Sequence, residues 1–334
     1  MRLVTGATGM VGSYITCHLL SQGHKVRALK RKQTSTVWFH RIAKSCGLSD
    51  KVIAEQLEWV EGDLGDIHSL EHALQGVELV YHCAAVVTFK KDEAENLFHT
   101  NVTGTANLVN VCLSTKVRKL CYISSIAALS RKKNNEQIDE TAEWEDSKLN
   151  SNYAKSKFLG ELEVWRGQEE GLEVVVVNPG FILGFGNPDR GSASLFKKIA
   201  KGFSFYTQGV NGYVDIIDVA KASIQLGESD IKGERFVLVG FNISYKELFF
   251  SIAEAMGKKP PKFEVKRWMG KLAVLFLNVF AKIGLRTEFV TPETITNSMS
   301  KYYYYADKVI NQINFNFTPK EQTIKRITQE FKQY

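Results

Sequence analysis

Gly6, Gly9 and Gly12, set three residues apart, constrain this 334-residue chain more than any other feature. A short apolar run (Leu3, Val4) stands ahead of them, and Val11, Tyr14, Ile15, Leu19 and Leu20 follow at helical spacing. That order reads as strand, tight turn and helix start. In such a turn one glycine makes the bend, a second admits the backbone to a pyrophosphate, and a third lets helix pack on strand. The N–H groups and positive dipole end at the helix start then favour a bound phosphate. A glycine triad alone fits any strand–helix turn. The flanking strand and helix patterns select the dinucleotide-binding reading.

Further alternations follow. Lys25–Leu29, Leu57–Val60, Val77–His82, Lys119–Ile123 and Glu173–Val177 read as strands, and the stretches 34–56, 67–74, 93–113 and 151–166 carry helical patterns. They imply βαβ units and an α/β fold with a doubly wound parallel sheet. Right-handed crossovers gather the carboxyl ends of such strands at one edge, where ligands bind. Gly6, Lys30, Asp63, Ala84 and Ser125 should meet there. After Gly184 the pattern turns irregular. Residues 1–184 are expected to form the dinucleotide-binding domain, and 213–240 to return to it through strand Tyr213–Ile217, helix Asp218–Leu226 and strand Phe236–Val239. Residues 185–334 are then mainly a smaller C-terminal α+β substrate-binding annex. Within it, Trp268–Leu285 is apolar but interrupted by Lys271, Asn278 and Lys282. It is too broken for the roughly 20 apolar residues of a transmembrane span. It reads as a buried annex helix rather than a membrane-surface contact.

A formal charge of +7 raises the question of nucleic acid. No Asp or Glu precedes Asp50, whereas Arg2, Lys25, Arg27, Lys30, Arg31, Lys32, Arg41 and Lys44 do, leaving 35 basic and 36 acidic residues in the rest. The excess is local to the glycine turn and fits a phosphate pocket better than a nucleic-acid surface. Cys17, Cys46, Cys83, Cys112 and Cys121 form no CxxC pair and read mostly as reduced core thiols. The first strand begins almost at Met1, so no signal peptide is read and a cytoplasmic protein is expected. His68-Ser69-Leu70-Glu71-His72 matches the H-x-x-E-H zinc pattern but lies in a short crossover helix; no metal is expected.

The chemistry sits between the strands. Tyr153 and Lys157 are four apart on a predicted helix and share a face. A nearby ammonium stabilises a phenolate, bringing a phenol from about 10 toward the working range of a general acid/base. Ser125, at a strand end, can hydrogen-bond a reacting oxygen.

With these pieces in this order, the chain resembles the extended short-chain dehydrogenase/reductase family, a part of the NAD-dependent epimerase/dehydratase superfamily with a Rossmann fold. The matching residues are the 5–12 turn, Gly62-Asp63-Leu64, His82-Cys83-Ala84-Ala85, Asn101-Val102-Thr103-Gly104-Thr105, Ser124-Ser125, Tyr153-Ala154-Lys155-Ser156-Lys157 and Asn178-Pro179-Gly180. Tyr213–Ala220 and Tyr305-Ala306-Asp307-Lys308 with Phe315 match later motifs. Val26–Arg31 looks like the dihydroflavonol-reductase and 3β-hydroxysteroid-dehydrogenase-like branch.

The resemblance implies that Tyr153 gives or takes the proton, that Lys157 holds the nicotinamide ribose and tunes Tyr153, and that Ser125 orients the substrate oxygen. Asn101 would be an auxiliary catalytic group. Thr5, Gly6, Thr8, Gly9, Met10, Val11 and Gly12 would carry the pyrophosphate, and Asp63 and Leu64 would meet the adenine. Cys83, Ala84, Ala85, Pro179 and Gly180 would line the cofactor cleft. NAD-selective fingerprints place an acid about 20 residues past the glycines. Here Lys30 and Arg31 stand in that place, with no acid expected anywhere nearby to repel a 2′-phosphate, so NADP(H) is the expected cofactor. Arg31 suits a 2′-phosphate better, because a guanidinium offers paired donors.

The Val-Tyr-Gly turn usual after the serine of nucleotide-sugar epimerases is missing, as is the acidic residue of the dehydratases. An NADP(H)-dependent reduction of a ketone or aldehyde, or the reverse oxidation of an alcohol, is therefore favoured. The alternatives are a nucleotide-sugar epimerase or dehydratase on the same fold, and a redox-sensing binding module. The last commonly lacks the Tyr/Lys pair. Val86, Val87, Phe89, Phe181 and Phe185 are expected to form an apolar wall for a small carbonyl or alcohol substrate. No nucleic acid or transmembrane span is expected, and a homodimer is left open.

Overall fold

The computed structural model describes residues 1–130, 137–147, 150–266, 268–269 and 298–333. In chain order the strands are β1 Arg2–Thr5, β2 Val26–Lys30, β3 Leu57–Glu61, β4 Leu79–His82, β5 Lys119–Ile123, β6 Gln137–Ile138, β7 Glu173–Pro179, β8 Phe181–Leu183, β9 Phe205–Tyr206, β10 Val210–Asp215, β11 Glu234–Leu238, β12 Phe241–Ser244, β13 Phe263–Glu264 and β14 Tyr303–Tyr304. The α-helices are α1 Met10–Ser21, α2 Val37–Ser45, α3 Asp50–Gln56, α4 Ile67–Leu74, α5 Ala94–Phe98, α6 Gly104–Ser114, α7 Asn152–Glu169, α8 Ala193–Ala200, α9 Ile216–Glu228, α10 Tyr245–Ala255, α11 Asp307–Ile313 and α12 Lys320–Lys332.

Seven strands form one parallel sheet in the order β3-β2-β1-β4-β5-β7-β11. The short apolar runs that make β4, β5 and β7 are buried on both faces, as parallel strands are when helices cover both sides. Tyr14, Ile15 and Leu19 of α1, Phe39 and Ile42 of α2 and Val219 and Leu226 of α9 cover one face. Leu70 and Leu74 of α4, Leu108 and Val111 of α6 and Val164 of α7 cover the other. Strand order reverses between β1 and β4, which opens a crevice at their carboxyl ends. The doubly wound sheet expected from the sequence is the one observed.

Some expectations change. Of the expected return over 213–240, Phe236–Leu238 joins the main sheet within β11, but the strand expected at Tyr213–Ile217 does not: it is observed as β10, ending at Asp215, with Ile216 and Ile217 already in α9. That edge of β7 is taken by β11, and β10 instead lies between β8 and β12 in a separate three-stranded sheet. Strand β8, expected inside the first domain, belongs to this sheet too. The long helix expected over 93–113 is broken by a π turn at His99–Thr103 between α5 and α6. Such a turn carries one extra residue and re-aims a side chain inward; Asn101 is buried there. Of the apolar run 268–285, only Trp268 and Met269 fall among the described residues.

Candidate active site

The glycine turn leaves no room for side chains. Gly6 adopts φ +64°, and a Cβ there would sit 2.7 Å from the Ala84 amide nitrogen. A Cβ on Gly12 would lie 2.3 Å from the Gly6 carbonyl oxygen. The turn closes through the Gly9 amide donating to the Gly6 carbonyl at 2.9 Å. Gly9 caps α1 with no side-chain hydrogen bond, and the first turn holds no acid. The α1 amides are thus presented without a competing carboxylate. Thr8 and Val11 are half-buried at this end, and Met10 lies beneath Gly184 and Gly186.

A buried chain of polar groups ties that turn to the next strand end. The Thr105 hydroxyl donates to the Asn101 carbonyl at 2.8 Å, so the 3.1 Å contact with His82 Nε2 requires the proton on that nitrogen. His82 Nδ1 then accepts from Thr5 Oγ1 at 2.7 Å, and Thr5 in turn accepts from the Ala84 amide. Burial holds the His82 imidazolium down to about pKa 3, helped by the charge of Lys157. The ring is neutral and fixes one tautomer. Asn101 grips the Val86 backbone with both amide atoms, at 2.8 and 2.9 Å, and donates to Ser156 Oγ at 3.0 Å. It is held by the loop after β4.

Helix α7 is capped by Ser151, whose hydroxyl accepts from the Ala154 amide. Tyr153 is half-buried, with the Phe89 ring edge-on at 5.9 Å. Lys157, one turn later, is fully buried and donates to the Tyr122 hydroxyl and the Ile123 carbonyl, both at 2.9 Å. Its nitrogen also lies 4.4 Å from the Tyr122 ring centre. Burial pulls its pKa down to about 8, against the pull of Glu161 and Cys83 in the other direction. Ser125, just past β5, caps a short 3-10 turn and accepts from the Ala127 amide at 3.1 Å. Helix α7 packs on that same turn, which brings the Tyr/Lys face and the serine loop together.

The opposite side of the crevice corrects one expectation. Lys30 pairs with Glu61 of β3 at 3.0 Å. The two are register neighbours, so an acid stands beside Lys30 although none is near in sequence. Arg31, next along, is exposed. Asp63 is exposed and accepts from the Gly65 amide, while Leu64 is buried under Gly104. Cys83 and Ala84 are half-buried and Ala85 exposed, leading from β4. Pro179 and Gly180 are buried at the end of β7, where the Gly180 amide donates to Leu238. Of the expected apolar wall, Val87 and Phe89 are exposed, Val86 is half-buried, and Phe181 meets Tyr213 edge-on. Phe185 is not part of it. It is fully buried between Trp38 and Phe331, because the chain after β8 turns into the core.

Sequence reasoning gave no role to Glu161, Tyr122, Ser124 or His82, although the last two stand in the matched motifs. Glu161 carried a signal: it follows Lys157 by the same four residues that separate Lys157 from Tyr153, which places an acid on the inward helix face.

The profile of the NAD dependent epimerase/dehydratase family matches residues 2–239. A Synechocystis protein provisionally named dihydroflavonol 4-reductase is 28% identical over 317 residues, 93% of this chain and 88% of its own. Cinnamoyl-CoA reductase 1 of Petunia hybrida is 31% identical over 70% of this chain and 71% of its own. The crystal structure of gox2253 superposes with a TM-score of 0.82 at 29% identity, covering 100% of this chain and 98% of that one. The sheet order, the glycine turn and the matched span agree: the chain belongs to the NAD dependent epimerase/dehydratase family.

Proposed function

We propose that this oxidoreductase of the epimerase/dehydratase family uses NADP(H) to interconvert a ketone or aldehyde and its alcohol. The observation that carries the reading is Lys157, buried and fixed by two acceptors at the end of β5, one helical turn from Tyr153. The residues fit a dinucleotide: the positive-φ Gly6, the close Gly12 and the uncapped, acid-free start of α1 form a cradle for a pyrophosphate.

When bound, the reduced nicotinamide supplies a hydride to the carbonyl carbon. The Tyr153 hydroxyl gives its proton to the carbonyl oxygen, so that hydride and proton together make the alcohol. Ser125 donates a hydrogen bond to the same oxygen. An ammonium has three N–H donors. Lys157 uses two on Tyr122 and Ile123, leaving the third for the ribose while its charge acts on the Tyr153 phenol. Glu61 neutralises Lys30, so Arg31 is the residue that grips the 2′-phosphate. Val86, Val87 and Phe89 give the substrate an apolar wall.

Purified protein should be assayed with NADPH and NADH against ketones, aldehydes and nucleotide sugars. NADPH-dependent reduction of apolar carbonyl compounds is expected. A clear preference for a nucleotide sugar would replace this reading with the epimerase or dehydratase one.

A further inference from the structure

We infer that Glu161 is a positioning residue: its buried carboxylate hangs the Ser124–Ser125 strand end onto α7 and provides the counter-charge beneath the Lys157 ammonium. The inference rests on the reading of Lys157 as the cofactor-facing cation.

The Glu161 side chain is only 4% exposed. A carboxylate is expensive to bury unless donors and a counter-charge surround it. It accepts from Ser124 Oγ at 2.6 Å, Asn178 Nδ2 at 2.9 Å, Trp165 Nε1 at 3.3 Å and Arg235 Nη1 at 3.4 Å. These donors come from the ends of β5 and β7, from β11 and from α7 itself. Asn178 Nδ2 also donates to the Ser125 carbonyl at 3.1 Å. Two consecutive residues, one of them the serine of the candidate site, therefore hang on the Glu161–Asn178 pair. Both are joined to the helix that carries Tyr153 and Lys157.

Arg235 alone does not explain the charge. It already donates to the Glu140 and Ala142 carbonyls at 2.8 and 2.9 Å, and its contact with Glu161 is the longer one. The groups facing Lys157 are Tyr122 on β5, His82 and Cys83 at the end of β4, and Tyr153 and Glu161 on its own helix. His82 is neutral and the Cys83 thiol is pushed above its usual range by desolvation, which leaves Glu161 as the anion that keeps Lys157 protonated. Glycine at 160 lets this face sit close, since a Cβ there would stand 2.8 Å from the Tyr122 hydroxyl and 2.4 Å from the Asn101 carbonyl.

The test is binding of NADPH, followed by fluorescence from pH 6.5 to 10. The wild type should bind well below the Lys157 pKa and lose affinity above it. Lys157→Met should lack that alkaline limb. Glu161→Gln removes the charge while keeping the volume, and should move the limb down by about one pH unit or more, the usual effect of losing a close opposite charge. Glu161→Asp, which keeps the charge, should leave the limb in place. An unmoved limb in Glu161→Gln would overturn the proposal and leave the reading of Lys157 standing. A wild type without the limb, or one that persists in Lys157→Met, would overturn that reading and this proposal with it. If Glu161→Gln does not fold, the Glu161→Gln/Lys157→Met pair decides. Removing both charges should restore folding, and a double variant no better than the single one would refute the coupling.

Discussion

At the scale of single residues, the proposed roles separate proton transfer from cofactor choice. Tyr153→Phe would remove the proposed proton donor and keep the ring against Phe89, so turnover should fall about 10²-fold or more. NADPH affinity, read by fluorescence titration, should stay at the wild-type value. Wild-type turnover in this variant would mean that another acid serves. Arg31→Ala should weaken NADPH by about 10- to 100-fold, the worth of a charge-assisted hydrogen bond, and leave NADH unchanged. Equal losses for both cofactors would remove Arg31 from the phosphate site. The Lys30–Glu61 pair adds a converse: Glu61→Gln frees Lys30 and should tighten NADPH relative to NADH. Spacing within one segment made Tyr153, Lys157 and the glycines legible. Glu61 was hidden because its proximity to Lys30 arises from strand register across 31 residues.

Among the elements, α1 is held close against the turn that precedes it. Its Gly12 touches the Gly6 carbonyl, and no rotamer change can relieve a clash with backbone. Gly12→Ala should lower stability by about 1–3 kcal/mol, the range of overpacked sites. Urea unfolding gives that number, and titration should show weakened NADPH binding in parallel. Strands β1 to β5 and β7 could be read from the sequence because buried parallel strands are short apolar runs bounded by turns. The β8-β10-β12 sheet could not. Its strands look like any others, and only the occupied edge of β7 tells that β10 pairs elsewhere. Neither could the π turn that buries Asn101, since one extra residue barely alters a helical pattern. The β6–β14 pair joins Gln137 to Tyr303, far outside any local window.

For the molecule as a whole, buried titratable groups link the site to stability. Lys157 has a lower pKa folded, about 8, than the ordinary 10.5 of the unfolded chain. Between those values the unfolded state holds more protons, so this group makes stability rise with pH. Lys157→Met lacks that rise. Its stability relative to wild type, from urea unfolding, should therefore be greatest near pH 7 and shrink by up to about 3 kcal/mol by pH 10.5. A difference independent of pH would mean that Lys157 is not desolvated. His82 acts with the same sign on the acid side: its folded pKa is about 3 against 6.5, so stability should fall as pH drops below about 6.5.

The last helix sets a different requirement, on the order in which the molecule can be made. Arg326 of α12 reaches Asp215 at the start of α9 at 2.6 Å, and Phe331 packs on Phe185 and Phe196. Edge strand β11 is likewise secured by Lys308, which bonds Glu234 and the Arg235 carbonyl. During synthesis the glycine turn and most of the sheet emerge first, yet a buried phenylalanine core and the cap of α9 stay open until residues beyond 300 leave the ribosome. A nascent chain must therefore carry a nearly finished parallel sheet with exposed apolar surface until the segments of α11 and α12 emerge, the stage at which chaperones would meet it.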